Sequence, residues 1–225
     1  MLFNKGVFCV RRKNEIAVDK ILDCAKEEFM EKGFEGASMR TIAERAGYTT
    51  GMLYARFADK SQLFKELVDD AAEKLFRYFS DSENAFADLP PEQQLSEMHT
   101  YVEGKVDEMI DIIYDRFDAF KLIVCKSAGS GYEYYIDKMI DVETANTLRF
   151  IDALNSAGIR INDVRADLSH MLSSAMFNGI FEVVAHDLPR EEARGYIKQV
   201  QDFFNAGWDN LLGLPSDWQK SLKRR

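Results

Sequence analysis

Within twelve positions the chain carries Thr49, Thr50, Gly51, Met52, Tyr54, Ala55, Arg56 and Lys60, and Arg40 and Thr41 lie just upstream. Hydroxyl, guanidinium and ammonium groups are the usual donors to phosphate oxygens, a methionine can touch a thymine methyl, and glycine permits close approach of a backbone. These residue types therefore suit contact with a nucleic-acid duplex. No comparable set exists for bond-making: there is no GxSxG run and no phosphate-cradling glycine loop with its lysine, the stretch Ser127 to Gly131 included. Enzyme activity and a cofactor are not expected. His99, His170 and His186 have no partner one helical turn away that would make a metal site, and Cys9, Cys24 and Cys125 form no ligand spacing, so no metal site is expected either. The acidic pairs Asp107 with Asp111 and Asp137 with Asp141 are read as solvated faces.

The elements that must position those donors are helical. Ile21, Leu22, Ala25 and Phe29 make one stripe of a helix over 14–32, with Gly33 a natural stop. Ser38 can cap a short second helix with Ile42, Ala43 and Ala46 inward and Gly47 at its end; the third position after the cap holds Thr41, not the acid of a full capping box. Thr49 or Thr50 can cap a third, pinned by Leu53 and Phe57, and Asp59 a fourth carrying Leu63, Phe64, Leu67, Ala71 and Leu75. Two short helices around a glycine turn, over 38–57, form a helix-turn-helix signature, whose second helix is short enough to enter a major groove about 12 Å wide end-on. A linker is expected at 81–91, followed by helices around 92–115, 116–127, 132–156, 163–186 and 190–212.

Composition agrees with an ordinary globular chain of 225 residues, 46% hydrophobic and 30% charged. The net charge of -9 opposes a polyanion partner, but residues 1–65 hold 12 Lys and Arg against 9 Asp and Glu, so any such partner belongs at the N-terminal end. Widely spaced, odd-numbered cysteines point to a reducing cytoplasm, and the absence of an apolar run of about 18 residues argues against a membrane span.

Gly33 and Phe34 followed by the run SMRTIAERAGYTTGMLYARFADKSQLF from Ser38 to Phe64 resemble the DNA-binding signature of TetR/AcrR family transcriptional regulators. That resemblance covers about a quarter of the chain. It implies an all-α protein: an N-terminal three-helix helix-turn-helix domain joined to a larger C-terminal helical bundle that dimerises. The implied organisation is an arm at 1–13, a DNA-binding domain at 14–75 and a sensing and dimerisation domain at 76–225. The resemblance places Thr49, Thr50, Gly51 and Met52 at the groove end of the third helix, Tyr54, Ala55 and Arg56 along its exposed face, and Arg40, Thr41 and Lys60 at backbone phosphates. Thr50 stands where the family commonly has lysine and Ala55 where it commonly has histidine, so base preference is not carried over. Arg11, Arg12 and Lys13 suit either a groove-reaching arm or a solvated terminus.

The implied activity is repression relieved when a small molecule displaces the homodimer from a palindromic double-stranded operator; an architectural DNA-binding protein without an effector is the alternative. Tyr78, Tyr101, Met109, Phe117, Phe120, Tyr135, Met139, Phe150 and Phe177 supply aromatic and thioether surface. Each suits core packing, and together they suit a pocket for an apolar or amphipathic effector. Ala175, Gly179, Phe203, Gly207 and Trp208 on the last two helices suit a close helix interface, within one chain or, as the resemblance implies, between two.

Overall fold

The computed structural model describes the backbone of residues 5–214 and the side chains of residues 18–214. Among these the chain is all helix: α1 (Lys5–Gly36), α2 (Met39–Ala46), α3 (Thr50–Arg56), α4 (Lys60–Ala87), α5 (Pro91–Asp115), α6 (Phe117–Lys126), α7 (Tyr135–Ser156), α8 (Ala166–Ala185) and α9 (Arg190–Leu211), with one 3-10 turn at Tyr132–Tyr134. The backbone of α1 begins at Lys5, so most of the expected arm at 1–13 is continuous with that helix; the side chains of Arg11, Arg12 and Lys13 lie outside the described residues. Gly33 interrupts the helix with φ +69°, a conformation that glycine alone adopts without strain.

The linker expected at 81–91 is mostly helix, because α4 continues to Ala87. Asp81, Ser82 and Asn84 suggest a loop by composition, yet buried Phe79 and Glu83 and half-buried Phe86 extend the inward stripe of α4 past them. Only 88–90 remain, and Pro91 starts α5 where its missing N–H costs nothing.

The helices form two compact units, each with its own core. The first comprises Met1–Asp70 with Lys121–Glu133, the second Ala71–Phe120 with Tyr134–Arg225, so the boundary differs from the one expected at 75 and the first unit gains a later segment. Side-chain contacts hold that segment in the first unit: the Tyr132 hydroxyl donates to Asp69 at 2.5 Å, and its ring lies 5.9 Å from that of Phe64. Phe64 is also edge-on to Phe29 and Phe34, at 5.0 and 5.4 Å, in the centre of this core. The second core is built from Phe79, Ile113, Met139, Phe181, Val184 and Ile197. In it, Arg194 reaches Asp107 at 3.0 Å and also bonds Asp111, which Arg190 reaches at 2.5 Å, so carboxylates read as a solvated face tie α5 to α9. These arginines hold the Asp111 carboxyl below its usual range. Both α4 and α6 run continuously from one unit into the other.

Candidate functional site

In the first unit, α2 and α3 are set by local capping. Ser38 Oγ accepts the Thr41 N–H at 3.4 Å to start α2, and Gly47 ends it at φ +79°, its own N–H and that of Tyr48 returning to carbonyls of the last turn. Thr49 Oγ1 accepts the Met52 N–H at 3.3 Å to start α3, which stops where Phe57 turns extended. Leu53 and Phe57 are buried and pin one face of α3. Its other face is open: Gly51, Met52, Tyr54, Ala55 and Arg56 are exposed, Met52 by 54% and Tyr54 by 50%, and Thr50 is half-buried. Arg56 has no ion pair or hydrogen bond among the described residues, whereas the guanidinium of Arg40 is spanned by Glu44 at 2.8 Å on an equally open surface. Thr41 is half-buried beside Ser38.

Two polar devices hold this reading head against α1. The buried Glu28 carboxylate accepts the Ser38 N–H at 3.2 Å and lies 3.5 Å from Arg45, which is also bidentate to Glu31 at 3.2 and 2.9 Å. The hydrogen bond from Arg45 keeps the Glu31 carboxyl below its ordinary range. Lys60 forms the second device. Its ammonium, expected at a phosphate, donates to the carbonyls of Glu35 and Ala37 at 3.0 and 3.2 Å and sits 4.7 Å above the Phe34 ring. Lys60 is thus a strap across the end of α1, and the sequence offered no sign of it because the carbonyls concerned lie 23 to 25 residues away.

The second unit contains a cavity of about 320 Å³ lined from α4, α5, α7, α8 and α9. Of the residues expected to line a pocket, Tyr101, Met109, Phe150 and Phe177 do so. Tyr78, Phe117, Phe120, Tyr135 and Met139 are not among its walls. Phe120 and Met139 are fully buried core, Phe117 packs on Tyr114 at 5.1 Å, and the buried Tyr135 hydroxyl donates to the Ala72 carbonyl at 2.9 Å, its ionisation pushed up by burial.

The polar walls were missed altogether. Glu83, Lys105 and Glu143 line the cavity together with Gln94 and Gln201. A signal existed: Glu83 is four residues after Phe79 and three before Phe86, Lys105 is four before Met109, and Glu143 is four after Met139, so each charge occupies an inward helical position. Lys105 bonds Glu83 directly and lies 5.1 Å over the Phe79 ring. The pairing with Glu83, and the nearby Glu143 carboxylate, more than offset burial and hold the lysine pKa above its usual value. Burial first, and the charge of Glu83 second, push the Glu143 carboxyl up to about 7.

On α8 and α9, Ala175, Phe203 and Gly207 are exposed, Phe203 by 75%, and Gly179 is half-buried against Val200. Trp208, grouped with them from sequence, instead lines the cavity and packs on the buried cluster of Ile151, Val164 and Leu212. Two large hydrophobic side chains of α8, Leu168 and Met171, are also exposed. No helix among the described residues is long and apolar enough to cross a membrane, and no group of three or more potential metal ligands occurs among them.

The chain thus has a helix-turn-helix whose capped second helix is exposed, and a separate helical unit with a cavity. Residues 21–67 match the model of bacterial regulatory proteins of the tetR family. The regulator UidR of Escherichia coli is 24% identical over 177 residues, 76% of this chain and 84% of that protein. The repressor AcnR of Corynebacterium diphtheriae is 41% identical over 54 residues, 24% of this chain and 28% of its own. In fold, NalD of Pseudomonas aeruginosa, the secondary repressor of the MexAB-OprM multidrug efflux pump, superposes with a TM-score of 0.53 at 17% identity, covering 84% of this chain and 95% of that one. Residues 21–67 thus carry a DNA-binding region of the tetR type, and the relatives that match beyond it are transcriptional regulators.

Proposed function

We propose that the protein is a repressor which binds a palindromic operator as a homodimer and leaves it when a small molecule occupies the cavity of the second unit. The observation that carries the reading is the open face of α3, where Met52, Tyr54 and Arg56 stand exposed on a helix whose opposite side is locked by Leu53 and Phe57. Thr49, Thr50 and Gly51 at the N-terminus of α3 present hydroxyls and backbone N–H groups to phosphates, Met52 and Arg56 meet base edges, and Tyr54, Arg40 and Thr41 fix the register on the backbone. Ala55 lies beside them and adds only a methyl contact. Lys60 serves by holding α1 and α4 together. Relatives named as repressors support the sign of regulation.

Dimerisation uses the exposed apolar surface of α8 and α9, with Ala175, Gly179 and Gly207 letting helices approach and Phe203 filling the seam. Helix α4 offers the route for the signal, since it starts at Lys60 in the DNA-binding unit and carries Glu83 in the wall of the cavity. To move operator occupancy from 99:1 to 1:99 an effector must favour the incompetent state by about 5.5 kcal/mol.

Selection of the purified protein on random duplexes tests the reading. A palindrome should be enriched, and Tyr54→Ala, which removes a half-exposed side chain without touching the core, should lose it. Absence of any enriched sequence at low salt would sink the repressor reading.

A further inference from the structure

Three features of the cavity are unexplained by packing. Glu143 has no hydrogen bond or ion pair among the described residues although it faces a buried charge cluster. Gln94 is only 2% exposed; its amide nitrogen donates to Ala87 and Leu89 at 3.1 and 2.7 Å, but its oxygen has no partner. Gln201 is 8% exposed and its amide nitrogen has none. Buried polar groups are nearly always satisfied, because each one left unmade costs about 1–3 kcal/mol. Two such amide atoms, beside a half-buried Glu143 without a partner among the described residues, around one void point to a polar end on whatever fills it.

The sign of that end follows from the charges. Lys105 is already bound to Glu83, so the ionised trio Glu83, Lys105 and Glu143 carries one negative charge in excess. Nothing else facing the cavity cancels it. On α5, His99 is paired with Asp209 of α9 at 3.0 Å and Tyr101 is an uncharged phenol whose ionisation burial pushes up. On α7, Arg149 and Asp152 are exposed and of opposite sign, and α8 contributes Met176, Phe177 and Ile180 only. The remaining walls include Phe86, Phe150 and Trp208, whose ring faces attract a cation.

We propose that the cavity takes an amphipathic cation, its apolar body against the aromatic walls and a single positive charge beside the carboxylates of Glu83 and Glu143. The inference rests on the reading of this cavity as the effector site and adds the charge of the effector. Binding is coupled to a proton. With the cavity empty Glu143 holds a proton below about pH 7, and the cation binds the carboxylate form, so affinity rises with pH through that region and then levels.

Calorimetric titration of the whole protein with decyltrimethylammonium, decanoate and decan-1-ol, one chain length bearing three head charges, tests this. The quaternary ammonium cannot titrate, so any pH dependence belongs to the protein. At pH 8 it should bind at least tenfold more tightly than the alcohol, with decanoate weakest, and its affinity should approach a tenfold fall per unit below pH 7. Glu143→Gln should bring the ammonium down to the level of the alcohol and flatten the pH profile, while Glu143→Asp, which keeps the charge, retains the preference. Alcohol or carboxylate binding as tightly as the ammonium, or an unchanged profile in Glu143→Gln, overturns the cation while leaving an effector cavity in place. Failure of all three probes to bind overturns both.

Discussion

Replacing Glu143 by glutamine should stabilise the protein, and by an amount that depends on pH. The carboxyl is raised from 4.5 to about 7 in the folded chain, chiefly by burial. An acid whose folded pKa lies above its unfolded value binds more protons when folded, so its effect on stability is nil below pH 4.5, grows more unfavourable as pH rises, and levels above 7. At about 1.4 kcal/mol per unit, that shift amounts to roughly 3 kcal/mol at pH 8. Glutamine has nearly the same shape and no charge, so the difference between variant and parent isolates Glu143 together with the groups that it is coupled to, Glu83 and Lys105. Its melting temperature should match the parent near pH 4.5 and exceed it by roughly 6–12 °C at pH 8, since 1 kcal/mol moves a chain of this size by about 2–4 °C. Calorimetric melts across that range read the difference directly. A difference that stays flat with pH, or is negative at pH 8, would refute the claim that desolvation raises the Glu143 carboxyl.

Gly47→Ala forces a side chain into a left-handed conformation at φ +79°, with its new Cβ 3.5 Å from the Lys20 ammonium nitrogen, and should cost about 1–2 kcal/mol in urea unfolding. Lys60→Ala removes two charged-donor hydrogen bonds to α1 carbonyls and should cost about 1.5–3 kcal/mol, yet leave the salt dependence of operator binding unchanged; a slope shallower by about one would return Lys60 to the phosphates. Phe203→Asp places a charge on the most exposed apolar ring of α9 and should shift sedimentation from dimer to monomer, whereas an unaltered dimer would move the interface elsewhere.

The helices were legible because their signals are local: Ser38, Gly47 and Thr49 cap or end them as residue type alone suggests, and Leu53 with Phe57 announces a buried side by spacing. The exposed face of α3 followed from the same period. What stayed hidden is fixed by distant partners. The bonds that Lys60 makes to the Glu35 and Ala37 carbonyls cannot be read from the residues around it. Tyr132 gives no hint that it belongs with Asp69, 63 residues earlier. The cavity was half visible through its aromatic residues, but hydrophobic rings look alike in a core and a pocket wall, so Phe120 and Met139 were grouped with Phe150 and Phe177. The informative residues were the inward-facing Glu83, Lys105 and Glu143, since a charge on an apolar stripe has to be paid for by a partner.

That last point bears on why such a cavity persists. The unpaired amide atoms of Gln94 and Gln201 and the raised carboxyl of Glu143 lower stability by several kcal/mol, a burden that apolar side chains at these positions would lift. The burden is of the same order as the 5.5 kcal/mol needed to switch operator occupancy, so a cation that relieves it has enough free energy at its disposal. Relief contributes to switching only to the extent that the operator-competent state presents Glu83 and Glu143 less favourably than the released state does. Helix α4 is the route proposed for that coupling, since it contains both Lys60 and Glu83. Coupling of this kind is reciprocal: operator DNA must weaken the cation by the same factor by which the cation weakens operator. A glutamine at 143 should abolish both effects together, and loss of one without the other would sever the cavity from the DNA-binding unit.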